Sequence, residues 1–239
     1  MPSNILHLSV IEFCIKSLTR AALGFAALTF LWFSCLPSIA SQEVIESAPS
    51  QLVNVLVLGD SLSAAYNIPV ERGWVSLLQR RVAEEFSNVS VVNASVSGET
   101  AANAVSRLPL LIDEYTPDIV VIELGGNDGL RGFPLEKIEQ SLQTLIEIAK
   151  SSGAYVVLTG VKLNPNYGPK FNDLFFKMFA RLAQENGTGL VPFILKDIGD
   201  DAKKMQEDAI HPTANAQNEV LENMWPQINL AIERRLQSL

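Results

Sequence analysis

An α/β domain, built on one parallel sheet with helices on both faces, is the architecture this chain predicts. Two observations carry that expectation. Short apolar runs alternate five times with longer stretches whose apolar residues recur at helical spacing, and the polar clusters fall directly after the apolar runs. Ligands in such sheets bind outside the carboxyl ends of the strands. The clusters after successive strands therefore converge on one edge.

The elements follow in chain order. Val53-Asn54-Val55-Leu56-Val57-Leu58, ending in Gly59, reads as a strand buried on both faces. Trp74 to Phe86 places Trp74, Leu77, Leu78, Val82 and Phe86 on one helical stripe. A strand at Val89–Asn93, a helix at Ala101–Leu111, a strand at Asp118–Glu123 and a helix at Leu135–Ser151 continue the alternation. Then come a strand at Tyr155–Thr159, a helix at Phe171–Glu185, a short strand at Leu190–Pro192 and a closing helix at Ala214–Leu236. No internal repeat or second linker interrupts this single-domain reading.

The first forty residues form a separate object. Ala21 to Leu36 carries no charge, follows Lys16 and Arg20, and precedes Pro37-Ser38-Ile39-Ala40. This order of basic, apolar and small-residue segments predicts a signal peptide cleaved near Ala40. A retained anchor over Leu18–Ile39 and lipid attachment at Cys35 are the alternatives, although Trp32-Phe33-Ser34 matches a lipoprotein signal poorly. Residues 41–51 then read as a polar tether, and residues 52–239 as the functional domain.

Composition narrows the chemistry. The 239 residues carry 18 Lys+Arg against 26 Asp+Glu, a net charge of -8, which offers no footprint for nucleic acid. Both cysteines, Cys14 and Cys35, and one of two histidines, His7, lie in the leader. The exported domain therefore has no thiol for catalysis, metal binding or a disulfide, and His211 is its one imidazole.

Gly59-Asp60-Ser61-Leu62-Ser63 puts Ser61 at a sharp transition after the first strand, which the sequence suggests is a helix start. Read alone, such a serine is as readily a helix cap. A serine hydroxyl needs a base to become a nucleophile, and His211 in Asp208-Ala209-Ile210-His211-Pro212 is the available one. Asp208 stands three residues earlier, where it can orient the ring, or equally close an ordinary turn. Attack on a carbonyl creates an oxyanion needing preorganised donors. The backbone N–H of Gly98 and the side-chain amide of Asn127 are candidates, and both residue types also suit plain turns.

The blocks GDSLSAAYN, NASVSGET, ELGGNDGLRGF and DAIHP, in that order and spacing, resemble the four blocks of the SGNH (GDSL) hydrolases. The similarity covers nearly all of residues 52–236 and is nearest the family's multifunctional periplasmic thioesterase and lysophospholipase branch. It implies a three-layer α/β/α flavodoxin-like fold with a five-stranded parallel sheet. It also implies Ser61 as nucleophile, Asp208 and His211 as the rest of a triad, and an oxyanion hole from Ser61, Gly98 and Asn127. Two positions depart from the family pattern: Ala65 stands where glycine is usual, and Asn164 follows Leu163 where close relatives have Leu-Pro. Asp60 is expected to set the serine loop and not to act as a second base.

The expected activity is hydrolysis of acyl esters and thioesters of the lysophospholipid, acyl-CoA or aryl-ester type, through an acyl-enzyme and with neither cofactor nor metal. Leu130, Phe133, Leu163, Pro165 and Tyr167, on glycine-containing loops, are the expected acyl-chain groove; covering the core is their other reading. The partners expected are small acyl substrates, with a membrane involved only through the leader or a lipid substrate, and the chain is expected to be a periplasmic or secreted monomer. An exported carbohydrate acetyl esterase is the enzymatic rival. A flavodoxin-like nucleotide or flavin binder is the non-catalytic one, but the first loop lacks the glycines a phosphate cradle needs.

Overall fold

The structure, a computed structural model, describes residues 51–239; the predicted signal peptide and all but the last residue of the predicted tether lie outside the described residues. Five parallel strands form the sheet: β1 (Val53–Gly59), β2 (Val89–Asn93), β3 (Ile119–Glu123), β4 (Tyr155–Thr159) and β5 (Gly189–Val191). Their spatial order is β2-β1-β3-β4-β5. The chain thus crosses back over β1 between β2 and β3, which opens a crevice at the carboxyl ends of β1 and β3.

Residues alternate between two apolar layers. Val53, Val55, Val57, Ile119 and Val121 face a core shared with α1 (Trp74–Glu85) and α6 (Gln217–Gln237). Leu56, Leu58, Val120 and Ile122 face a second core, shared with α2 (Ala101–Tyr115), α4 (Leu135–Ser151) and α5 (Pro169–Asn186). Burial on both faces is why these strands read as unbroken apolar runs. The three-layer arrangement and the five parallel strands match the expectation.

The differences lie at the ends of elements. Helix α2 runs through Pro109 to Tyr115, where Thr116 closes it in the left-handed conformation. Helix α6 starts at Gln217 and not at Ala214, because residues 214–216 form a turn with Ala216 N–H on Thr213 O at 3.1 Å; the buried Gln217 Oε1 accepts from Trp74 N–H at 3.0 Å. Asp118 stands before β3, with its carboxylate accepting from Asn54 N–H at 2.9 Å and from Arg235 Nε at 2.8 Å. A five-residue helix, α3 (Gly126–Leu130), was not foreseen.

Candidate active site

The loop after β1 is not the helix start that the sequence suggested. Residues 61–67 form consecutive turns, with Ala64 N–H on Asp60 O at 2.9 Å and Tyr66 N–H on Ser61 O at 3.2 Å. Ala65, at φ 57°, and Asn67, at φ 55°, take left-handed conformations that interrupt a helix there. This tight path leaves the Ser61 side chain on the wall of a cavity.

Ser61 Oγ lies 2.8 Å from His211 Nε2, and His211 Nδ1 lies 2.7 Å from Asp208 Oδ2. An ionised Asp208 only accepts, so Nδ1 carries the ring's hydrogen and Nε2 is left to accept from the serine hydroxyl. Burial tends to raise the Asp208 carboxyl, but the N–H groups of His211 and Ile210 and the imidazole outweigh it and hold the carboxyl below its ordinary value. Oδ1 takes those two backbone N–H groups at 3.0 and 2.9 Å.

Gln206, which lies in no motif, and Tyr66 complete this corner. Gln206 Nε2 donates to Tyr66 O at 3.1 Å, and its Oε1 accepts from Asn67 Nδ2 at 3.1 Å, tying the histidine loop to the serine loop. The Tyr66 ring lies against His211, with centroids 4.4 Å apart.

The oxyanion candidates approach from the neighbouring strands. Ala94 N–H bonds Val57 O at 2.9 Å and Val96 N–H bonds Gly59 O at 3.0 Å, drawing the loop of Gly98 along the end of β1. Gly98 has φ +79°, a conformation that side chains disfavour, and its carbonyl accepts from Arg131 Nη2 at 2.9 Å. Asn127, on the first turn of α3, lines the same cavity as Ser61 and donates from Nδ2 to Asp60 Oδ2 at 2.9 Å. Asp128 follows it and accepts Ala101 N–H at 2.9 Å, which anchors α3 to the start of α2.

Two buried carboxyls lie beneath the serine loop. Glu123, at the end of β3, accepts from Ser63 Oγ at 2.7 Å and from Asp60 N–H at 3.3 Å. Burial and the nearby Asp60 push its carboxyl well above the usual range. Burial likewise raises Asp60 to about 6, against the opposing pull of Leu62 N–H, His211 and Asn127. Sequence reasoning missed Glu123, although a carboxylate closing an apolar strand that is buried on both faces is itself a signal.

The cavity beside Ser61 and His211 has a volume of about 450 Å³. Leu130 and Leu163 line it as expected, but Phe133 and Tyr167 do not. Phe133 follows the left-handed Gly132 that turns the chain from α3 toward α4, and it is 36% exposed. Tyr167 is equally exposed and supports the wall from behind, donating its hydroxyl to Leu130 O at 2.9 Å. Pro165 belongs to the 3₁₀ turn Pro165–Tyr167. The rest of the apolar lining, which the sequence did not suggest, includes Phe193, Leu195, Met205 and Ile210. Among the described residues, no cluster of His, Cys, Asp or Glu is placed to hold a metal ion, and no helix is long and apolar enough to cross a membrane.

Known proteins resemble this chain in sequence and fold. Residues 57–218 match the model of the GDSL-like Lipase/Acylhydrolase family. Esterase TesA of Pseudomonas aeruginosa is 47% identical over 174 residues, covering 73% of this chain and 87% of that protein. Thioesterase 1/protease 1/lysophospholipase L1 of Escherichia coli is 38% identical over 174 residues, covering 73% and 82%. The crystal structure of the psychrotrophic esterase EstA from Pseudoalteromonas sp., inhibited by monoethylphosphonate, superimposes with a TM-score of 0.72 at 38% identity, covering 75% of this chain and 98% of that one. Motif order, sheet topology and these similarities agree, and the chain belongs to the GDSL-like lipase/acylhydrolase family, a family of ester hydrolases.

Proposed function

We propose that the chain is a serine esterase that cleaves medium and long acyl esters and thioesters, including lysophospholipids, outside the cytoplasm. The observation that carries this reading is the line of contacts Asp208–His211–Ser61, at 2.7 and 2.8 Å, ending on a cavity lined in part by Leu130, Leu163, Phe193 and Ile210.

His211 Nε2 takes the Ser61 proton as Oγ attacks the acyl carbonyl. Asp208 holds the Nδ1 hydrogen and stabilises the imidazolium. The Ser61 N–H, the Gly98 N–H and the second hydrogen of Asn127 Nδ2 serve as donors to the developing oxyanion, and loss of one such donor costs about 3–4 kcal/mol in comparable sites. His211 then protonates the leaving alcohol or thiol. In the second half-reaction it activates water, which releases the acid from Ser61. Leu130, Leu163, Phe193 and Ile210 line the cavity beside the polar Lys162, Asn164 and Asp200, and the apolar part offers a place for a hydrocarbon chain, which supports the acyl esterase over its carbohydrate rival.

A fluorophosphonate probe should label Ser61, and Ser61→Ala or His211→Ala should abolish both labelling and hydrolysis of p-nitrophenyl acyl esters in folded protein. Substantial hydrolysis by either variant refutes the assignment of Ser61 as nucleophile and His211 as base. Export rests on the leader pattern over residues 1–40, with the periplasm or the medium as the destination; a mature chain beginning at Ser41 by N-terminal sequencing is the expected result.

A further inference from the structure

Asp60 immediately precedes the nucleophile and lines the same cavity, yet its carboxyl bonds neither Ser61 nor His211. It is 3% exposed, and both its oxygens are spent on N–H donors. Oδ1 accepts from Leu62 N–H at 3.1 Å and Oδ2 from Asn127 Nδ2 at 2.9 Å. Its own N–H is held by Glu123 Oε2 at 3.3 Å, and the same oxygen takes the Ser63 hydroxyl at 2.7 Å. Gly59 closes the frame: a Cβ there would stand 2.6 Å from Ser63 Oγ and 2.9 Å from Glu123 Oε2. The Asp60 carboxyl is thereby fixed by contacts on both sides.

An asparagine amide has an oxygen at one end and an NH₂ of nearly equal size at the other. Only the NH₂ end can stabilise an oxyanion; the oxygen turned the same way would repel it. A carboxylate accepts and never donates, so Asp60 admits the NH₂ end of Asn127 and rejects the oxygen. The second hydrogen on the same nitrogen remains for the cavity, which Asn127 lines together with Ser61.

We propose that Asp60 is a positioning residue for acyl transfer, its carboxylate selecting the amide orientation in which Asn127 donates to the oxyanion. The proposal rests on the reading of Asn127 as an oxyanion donor. The same carboxylate lies close enough to His211 for an imidazolium to favour its ionised form, so the acceptor is kept while the base carries the proton. Asp60 thus acts on the transition state through Asn127, without touching the substrate.

Asp60→Asn is the test, because it keeps the shape and replaces one acceptor oxygen with NH₂. That NH₂ must face either Leu62 N–H or Asn127 Nδ2, and Asn127 relieves the second conflict by turning its oxygen toward the bond. With p-nitrophenyl butyrate, kcat should fall on the order of 100–1000-fold with KM within about twofold, in keeping with the loss of one oxyanion donor. In an Asn127→Ala background the same substitution should change kcat by less than about threefold, because its target is gone.

Undiminished kcat in Asp60→Asn, or an equal loss in both backgrounds, overturns the positioning role. If Asn127→Ala alone is fully active, the oxyanion reading itself fails and takes this proposal with it. If Asn127→Ala is impaired and Asp60→Asn is not, only the positioning role fails. Should Asp60→Asn not fold, the side-chain ¹H–¹⁵N signals of Asn127 in the unaltered protein decide. One Nδ2 proton shifted downfield and moving with a carboxyl titration is expected; two equivalent protons insensitive to pH overturn the proposal.

Discussion

Replacing Leu163 with serine tests the acyl-chain cavity directly. Leu163 packs over α3 so closely that a Cβ on Gly129 would stand 2.6 Å from its Cδ1, and it lines the cavity with Phe193 and Ile210. Serine removes the branched end of the side chain and leaves a hydroxyl in its place. A long acyl chain would lose its apolar wall over about two methylenes, each worth about 0.8 kcal/mol when removed from water. The sum, about 1.6 kcal/mol, is about a 15-fold loss in kcat/KM, whereas an acetyl group places no methylene there. The assay is the ratio of kcat/KM for p-nitrophenyl decanoate to that for the acetate. Phe133→Ser is the control, since Phe133 lies outside the cavity and should leave this ratio within about twofold. An equal loss on both esters for Leu163→Ser, or a matching change in Phe133→Ser, would refute the placement of the chain along this wall.

Two further outcomes concern stability. The Asp60 carboxyl has its pKa raised from 3.8 to about 6 in the fold, so the native state holds this proton more tightly than the unfolded chain. Its contribution is fully present below about pH 3.8 and is lost as pH rises through about 6, a change of about 3 kcal/mol. The unfolding free energy of Asp60→Asn relative to the parent, from urea melts, should therefore shift in the variant's favour by about that amount between about pH 3.5 and 7.5; a constant difference would rule this out. Ala65 is left-handed at φ 57°, and a Cβ on Gly73 would stand 2.8 Å from its Cβ. Gly73→Ala should cost about 1–3 kcal/mol by overpacking, and Ala65→Gly should recover most of that loss in the double variant. Additive effects would disprove the contact.

The strands were legible because both faces of the sheet are covered, so each appears as an apolar run between polar clusters. The meeting of Ser61, His211 and Asp208 was legible from the scarcity of imidazole in the domain together with the resemblance carried by the four ordered blocks. Helix α3 was not, since Gly126-Asn127-Asp128-Gly129-Leu130 has poor intrinsic propensity and is held by tertiary contacts: Asp128 on Ala101 N–H, and Gly129 beneath Leu163 and Phe175. Once α3 is a helix, Leu130 faces the cavity and Phe133 falls past its end, which the residue types alone do not reveal. The rest of the apolar lining, Phe193 to Ile210, comes from a segment that carries no motif beyond its Asp208–His211 end. The carboxyls under the serine loop were hidden more deeply, by register. Gly59 of β1 pairs with Glu123 of β3, and this pairing brings the last side chain of one strand beneath the turn that follows the other. A slip of one residue would send Glu123 to the opposite face of the sheet and leave the Asp60 N–H and the Ser63 hydroxyl without their shared acceptor. The switch point therefore does more than open a crevice. By fixing which residues meet at the ends of β1 and β3, it sets the orientation of Asp60, and through Asp60 that of the Asn127 amide.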